Sequence, residues 1–302
     1  MTLIFVVGAT ATGKSDLAIE LAERLHGEII NADSMQLYKG MNIGTAKLSI
    51  EERRGITHHL IDILDVTEES SVAQYQALAR AKIDELQAKG IPTIVVGGTG
   101  LYVKAILDEL NFPEKNEEVR ARLQRETEKI GAQAMHAKLA KLDPAAAAAI
   151  PAQNSRRVIR ALEVIELTGK PFTANLPREG SSRYPNAKQF GLVMDREKLT
   201  EKISNRVETM WERGFVAEVK ELLSRGLREG KTARAGLGYS QIIRFLDGEI
   251  SEAEAKEDTK RATRQYARRQ ETWFSRDFRI TWLKGSIEKR LEKITSTTIS
   301  NR

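Results

Sequence analysis

Two hydrophobic rhythms take turns along the chain. Leu3-Ile4-Phe5-Val6-Val7 and Pro92-Thr93-Ile94-Val95-Val96 are near-continuous apolar runs, the pattern of strands covered on both faces of a parallel sheet. Glu28-Ile29-Ile30-Asn31-Ala32 reads as a further strand, and Leu60-Ile61-Asp62-Ile63-Leu64, after His58-His59, as another. Between them the period becomes helical: Leu17, Leu21 and Leu25 recur four apart with Ala18 and Ala22 beside them, and a helix is expected from Val72 to Lys89. Strands alternating with helices predict an α/β fold with a parallel sheet flanked by helices. From about residue 111 to 185 only helical patterns remain, including the stripe Val158, Ile159, Leu162, Ile165, capped by Asn154 or Ser155 and stopped at Gly169. We therefore expect a core of residues 1–110 and 186–302, with residues 111–185 as a helical insertion domain.

Chemistry enters where the first strand ends. Gly8-Ala9-Thr10-Ala11-Thr12-Gly13-Lys14-Ser15 has the spacing G-x-x-x-x-G-K-S between a strand and a helix. Its glycines let backbone N–H groups turn onto phosphate oxygens at a helix N-terminus, Lys14 reaches the terminal phosphates, and the Ser15 hydroxyl is placed for Mg2+. This makes the sheet P-loop NTPase-like. Asp33 follows the second strand and so faces the side where open parallel sheets bind ligands, although a turn-capping role would place it equally well. The run at 92–96 ends in Gly97-Gly98-Thr99-Gly100 where many P-loop hydrolases carry a Mg2+-binding aspartate. Adjacent His58 and His59 on a strand point to opposite faces and do not predict a shared metal.

Composition narrows the class. The 302 residues contain no cysteine, which excludes disulfides, thiolate zinc and a cysteine nucleophile. No apolar run approaches the roughly 18 residues that span a bilayer, so a cytoplasmic protein without membrane contact is expected. The formal charge of +6 is informative mainly through its placement. Arg156, Arg157 and Arg160 cluster on a helix, either as a phosphate-binding face or as a solvated one neutralised by Glu163 and Glu166. The expected last long helix, Lys260 to Arg279, holds seven Lys and Arg residues, with Tyr266 and Trp273 seven apart. A basic stripe beside an aromatic one suits RNA, with Trp273 read as a core residue. Arg206, off the apolar stripe Ile203, Val207, Met210, is the candidate to meet phosphate charge. A kinase with a helical lid would share most of these features.

Taken together, GATATGKS, NADSMQLYKGMNIGTAK, HHLIDI, VGGTGLYVKAI, RRVIRALEV and RQYARRQETWF resemble the tRNA dimethylallyltransferase family, in order and approximate spacing, over nearly the whole chain. The resemblance implies transfer of a dimethylallyl group from dimethylallyl diphosphate to the exocyclic amine of the adenosine beside the anticodon, in tRNAs reading codons that begin with U, with Mg2+ and release of pyrophosphate. It assigns the diphosphate to Gly8 through Ser15, the general base to Asp33, an adenosine-side contact to Thr99, and a diphosphate contact to Arg206. It further implies tRNA contacts at Asp33, Ser34, Met35 and Gln36, at Arg156, Arg157, Val158, Ile159 and Arg160, at Arg122 in the insertion, and around Gly238. A basic residue often follows the Gly-Tyr pair in that family, whereas Ser240 stands here. Nothing in the sequence requires more than a monomer.

Overall fold

The computed structural model describes residues 2–175 and 182–299, in two compact units: 1–106 with 184–302, and Leu107–Arg183. The helical unit thus begins four residues before the expected 111 and ends two before 185. In the larger unit β1 (Leu3–Gly8), α1 (Lys14–Leu25), β2 (Glu28–Asn31), β3 (His58–His59), α2 (Val72–Ala88), β4 (Thr93–Gly97) and α3 (Gly100–Leu107) come first. The helical unit contributes α4 (Glu117–Leu142, broken at Gly131), α5 (Pro144–Ala149) and α6 (Ser155–Thr168). The chain then returns as β5 (Lys188–Leu192), α7 (Arg196–Glu212), α8 (Phe215–Ser224), α9 (Tyr239–Leu246), α10 (Glu252–Phe274), β6 (Ile280–Leu283) and α11 (Ile287–Ile299).

The six strands form one parallel sheet in the order β3-β2-β4-β1-β5-β6. Every residue of β1 is buried, as its continuous apolar run requires of a central strand. Ile4 and Val6 pack with Leu17 and Leu21 of α1 and Leu291 and Ile294 of α11, each such side chain contributing roughly 1.5–3 kcal/mol through burial. A second cluster wraps Tyr38 and Met41 against Phe215, Val219, Leu222 and Tyr239. The helical unit has its own core of Leu123, Met135, Leu139, Val158, Ala161 and Leu162.

Two expectations are corrected. The stretch 60–64 is not a strand: Leu60 (φ 59) and Asp62 (φ 56) are left-handed, so pairing stops at the two histidines. The last long helix ends at Phe274; Arg276 and Arg279 lie beyond it, and Arg279 pairs with Asp277 at 2.6 Å.

Candidate active site

β1, β2 and β4 are neighbours in the sheet and parallel, so the loops leaving their C-terminal ends share one edge. The loop after β1 enters α1 through Gly13 in the left-handed region (φ 87). Lys14 Nζ donates to the Ala9 carbonyl at 2.6 Å, and the Thr12 hydroxyl to the same oxygen at 2.8 Å. From α7, Arg206 donates to the Thr10 hydroxyl at 3.2 Å. Behind the loop Arg290, 9% exposed, reaches the carbonyls of Thr12 and Val193, both at 3.4 Å.

The loop after β2 is organised by buried Asn31. Its amide accepts from the Asp33 N–H at 2.9 Å and donates to the carbonyls of Asp33 and Leu60, each at 2.9 Å. Asp33 in turn caps Met35, whose N–H reaches its carboxylate at 2.9 Å. The loop after β4 touches this one directly: Thr99 N–H donates to Ala32 O at 3.2 Å, and Thr99 Oγ1 accepts from Ser34 N–H at 3.1 Å. No side chain fits at the crossing, since a Cβ on Gly97 would lie 2.2 Å from the Ala32 carbonyl oxygen. That close approach is the physical reason for glycine at this position.

Charge couples the three loops. Burial lowers the Lys14 pKa to about 8, with Arg206 pushing the same way and Asp33 opposing. Burial also raises the Asp33 carboxyl above the usual carboxylate range, against the Met35 and Gln36 N–H groups and the positive charges of Lys14 and Arg206. Arg206 is lowered by burial while Asp16 and Asp33 draw it back. Tyr266 of α10 is pushed up to about 12, first by burial and then by the Asp33 charge, while hydrogen bonds to Thr99 and Gln270 act the other way. Asp33, Thr99, Lys14 and Arg206 therefore form one constellation within the larger unit.

The segment Tyr38–Thr45 is pinned beside it. One carboxylate, Glu218, accepts from the N–H groups of Asn42 (3.1 Å), Ile43 (2.7 Å) and Gly44 (3.3 Å) and from the Tyr239 hydroxyl (2.6 Å). Buried Lys47 donates to Tyr38 O, Asn42 Oδ1 and Asp62 Oδ1 at 2.9, 3.1 and 2.6 Å. Gln36 reaches Thr45 O at 3.1 Å, which ties the pinned segment to the Asp33 loop. Gly238 (φ 84) opens α9, where a Cβ would strike Phe215 at 2.4 Å. Ser240 turns inward to Gln241 Oε1 at 2.9 Å.

The helical unit separates the arginine cluster that the sequence left undivided. Arg156 and Arg157 are exposed and make no ion pair among the described residues. Arg160 is used internally, donating to Pro113 O at 2.6 Å and pairing with fully buried Glu163 at 2.9 Å. Burial opposes ionisation of Glu163, but Arg120, Arg160 and the Asn116 N–H hold its carboxyl below the usual range. Val158 is 1% exposed in the core, so its side chain is not offered to the expected contact, whereas Ile159 is half-buried and packs against the same core. Arg122 pairs with Glu166 and lies near Glu126. On α10, Lys260 is neutralised by Glu208 and Glu257, whereas Arg264 and Arg268 stay unpaired among the described residues. Trp273 is 44% exposed rather than core, its ring lying against Gly100.

Gln270 was not singled out by sequence. Its Oε1 accepts from Thr10 N–H and its Nε2 donates to Gly98 O, both at 2.8 Å. A neutral amide inside a basic stretch gives no periodic signal; a buried position on the helix face with Ala267 and Phe274 was the available hint.

The fold and constellation define a class: a P-loop-type α/β protein whose glycine loop after β1 shares its field with a carboxylate and an arginine, with glycines and a threonine where a metal-binding aspartate commonly stands. The IPP transferase family pattern matches residues 36–277. The chain is 59% identical over 287 residues to the tRNA dimethylallyltransferase of Thermobifida fusca, covering 93% of this chain and 89% of that protein. Against the one from Streptomyces griseus it is 55% identical over 290 residues, 96% and 92% of the two chains. Among solved structures, the tRNA isopentenylpyrophosphate transferase of Bacillus halodurans superposes with a TM-score of 0.74 at 41% identity, covering 99% and 96%. A eukaryotic dimethylallyltransferase acting on tRNA gives 0.85 at 28%, covering 100% of this chain and 80% of that one. This chain belongs to the tRNA dimethylallyltransferase family.

Proposed function

We propose that the protein transfers the dimethylallyl group of dimethylallyl diphosphate to the exocyclic N6 of the adenosine beside the anticodon in tRNAs that read codons beginning with U, releasing pyrophosphate. The observation that carries this reading is Asp33 in the shared field of Lys14 and Arg206 at the edge of the phosphate loop. A base and a leaving-group site side by side are what alkylation of a weak amine nucleophile needs. The C1–O bond of the donor breaks and its electron pair leaves with pyrophosphate, while the N6 lone pair forms the new bond to C1. The N6 proton passes to the Asp33 carboxylate, whose raised proton affinity makes it a better acceptor. Lys14, Arg206 and the N–H groups of the Gly8–Ser15 loop take up charge on departing pyrophosphate, and Thr99 holds the adenosine side. The target base leaves its stack to reach them.

Mg2+ fits as a metal brought by the donor. The described residues contain no group of three or more His, Cys, Asp or Glu able to cage a metal, and the Ser15 hydroxyl, at the first turn of α1, is given to no protein partner among them. Bound there, Mg2+ would supply Lewis-acid stabilisation of the leaving group. Arg156 and Arg157, with Arg264 and Arg268, supply phosphate-neutralising charge for tRNA; Ser34, Met35, Gln36, Arg122 and the turn at Gly238 complete the proposed contacts. We take the monomer as the active unit, working in the cytoplasm. No helix among the described residues is long and apolar enough to cross a membrane.

The test incubates protein, Mg2+ and unmodified tRNA with dimethylallyl diphosphate or with ATP, then weighs the nucleosides after digestion. An adenosine heavier by one dimethylallyl group with the first donor alone is expected. ATP consumption with no change of nucleoside mass would refute the reading in favour of a kinase.

A further inference from the structure

α10 carries more than positive charge. Gln270, 5% exposed, spans two loops that the sequence separates by almost ninety residues: it accepts from Thr10 N–H on the phosphate side and donates to Gly98 O on the Thr99 side, each at 2.8 Å. The partners dictate the chemistry. One end of the side chain must accept and the other must donate, which among uncharged side chains of this length only a primary amide does. Gly98 leaves the room, since a Cβ there would lie 2.1 Å from the Gln270 nitrogen. One turn earlier the Tyr266 hydroxyl is close enough to Gln270 and Thr99 for both to lower its pKa against burial, so the brace lies beside the Thr99 loop.

We propose that Gln270 is a positioning residue that sets the separation between the loop holding the leaving diphosphate and the loop holding the acceptor adenosine. This rests on the transferase reading above. Attack of N6 on C1 requires the two substrates, each held by a different loop, to meet at near-contact distance, and a displacement of about 1 Å costs on the order of 100-fold in rate. A loosened brace has a specific signature. The donor is still held over Lys14 and Arg206, but with the amine out of line water attacks C1 in its place and expels pyrophosphate, giving dimethylallyl alcohol and a proton without prenylated RNA.

The experiment measures pyrophosphate released per prenylated adenosine, together with kcat, donor KM and tRNA Kd, in wild type, Gln270→Met and Gln270→Glu, with rates normalised to titrated active sites. Gln270→Met keeps the shape and removes both hydrogen bonds; we expect kcat to fall roughly 10- to 100-fold, the ratio to rise above one, and tRNA Kd to stay within about threefold. Gln270→Glu keeps the acceptor but turns a carboxylate toward the Gly98 carbonyl, and adds negative charge beside the diphosphate, so donor KM rises as well. Should Gln270→Met fold poorly, Gly98→Ala attacks the same contact from its other side and is expected to uncouple in the same way. A kcat within twofold of wild type per active site, with the ratio at one, overturns the proposal. A loss confined to the number of active sites does so too, because it assigns Gln270 to packing alone. Absence of prenylated RNA in the wild-type control would instead refute the transferase reading.

Discussion

A lysine with a pKa of about 8 should write itself into the pH profile of donor use. For kcat/KM of dimethylallyl diphosphate, which reports the enzyme before the donor binds, the relevant fraction is Lys14 carrying its proton. With the pKa lowered to about 8, that fraction falls from about 90% at pH 7 to about 10% at pH 9, whereas an unperturbed lysine would remain almost fully charged. The expected profile is a roughly tenfold loss between about pH 7 and pH 9, in a range where a phosphate group has already lost its last proton. Bound diphosphate favours the ammonium, so the same limb in kcat moves to higher pH. Steady-state rates at saturating tRNA, followed by pyrophosphate release, measure both. Lys14→Arg keeps its charge throughout and should lose the limb at whatever residual rate it retains. A flat wild-type kcat/KM up to about pH 9.5, or the same limb in Lys14→Arg, would refute the reasoning that desolvation and Arg206 depress this lysine.

Other perturbations separate roles within the site. Asp33→Asn removes the proton acceptor and should cost about 10²–10⁴-fold in single-turnover prenyl transfer, with tRNA affinity nearly unchanged. In wild type the rate should fall as pH drops through the raised Asp33 pKa, and the variant should lack that acid limb. Replacing Arg156 and Arg157 together by Ala is expected to weaken tRNA binding and reduce the slope of log K against log salt by roughly 2; filter binding across a salt series decides it. Arg160→Ala should instead lower the melting temperature, because it strips a partner from fully buried Glu163. Glu218→Ala leaves three N–H groups at Asn42, Ile43 and Gly44 without their acceptor, at a cost of about 3 kcal/mol, and should speed limited proteolysis between residues 39 and 46.

How much was legible depended on whether the signal was local. β1 and β4 were readable because burial on both faces imposes an unbroken apolar run, and the glycine loop between β1 and α1 because its spacing is fixed by backbone geometry. α6 was readable from its cap, its stripe and Gly169, which closes it at φ 65. The stretch after His59 misled because Ile61 and Ile63 look like a strand, while the Asn31 amide on Leu60 O and Lys47 on Asp62 hold the backbone in turns. The arginines from 156 to 160 were indistinguishable in sequence; only the folded unit decides that Arg160 faces Glu163 while its neighbours face solvent. Gln270 was invisible for the most physical of reasons, since the two groups its amide braces, Thr10 N–H and Gly98 O, are backbone and carry no residue identity.

The brace also places the site in time. A ribosome delivers the phosphate loop almost first, yet β5, which flanks the central strand, begins at Lys188, the Gln270 brace closes 260 residues after Thr10, and Arg290 reaches the Thr12 carbonyl 278 residues downstream of it. A nascent chain therefore exposes this glycine loop long before its companions exist, and such distant closures are slow to form. Activity should switch on abruptly only once α10 and α11 have both arrived, so that a chain interrupted before them carries the loop without the architecture that aims it.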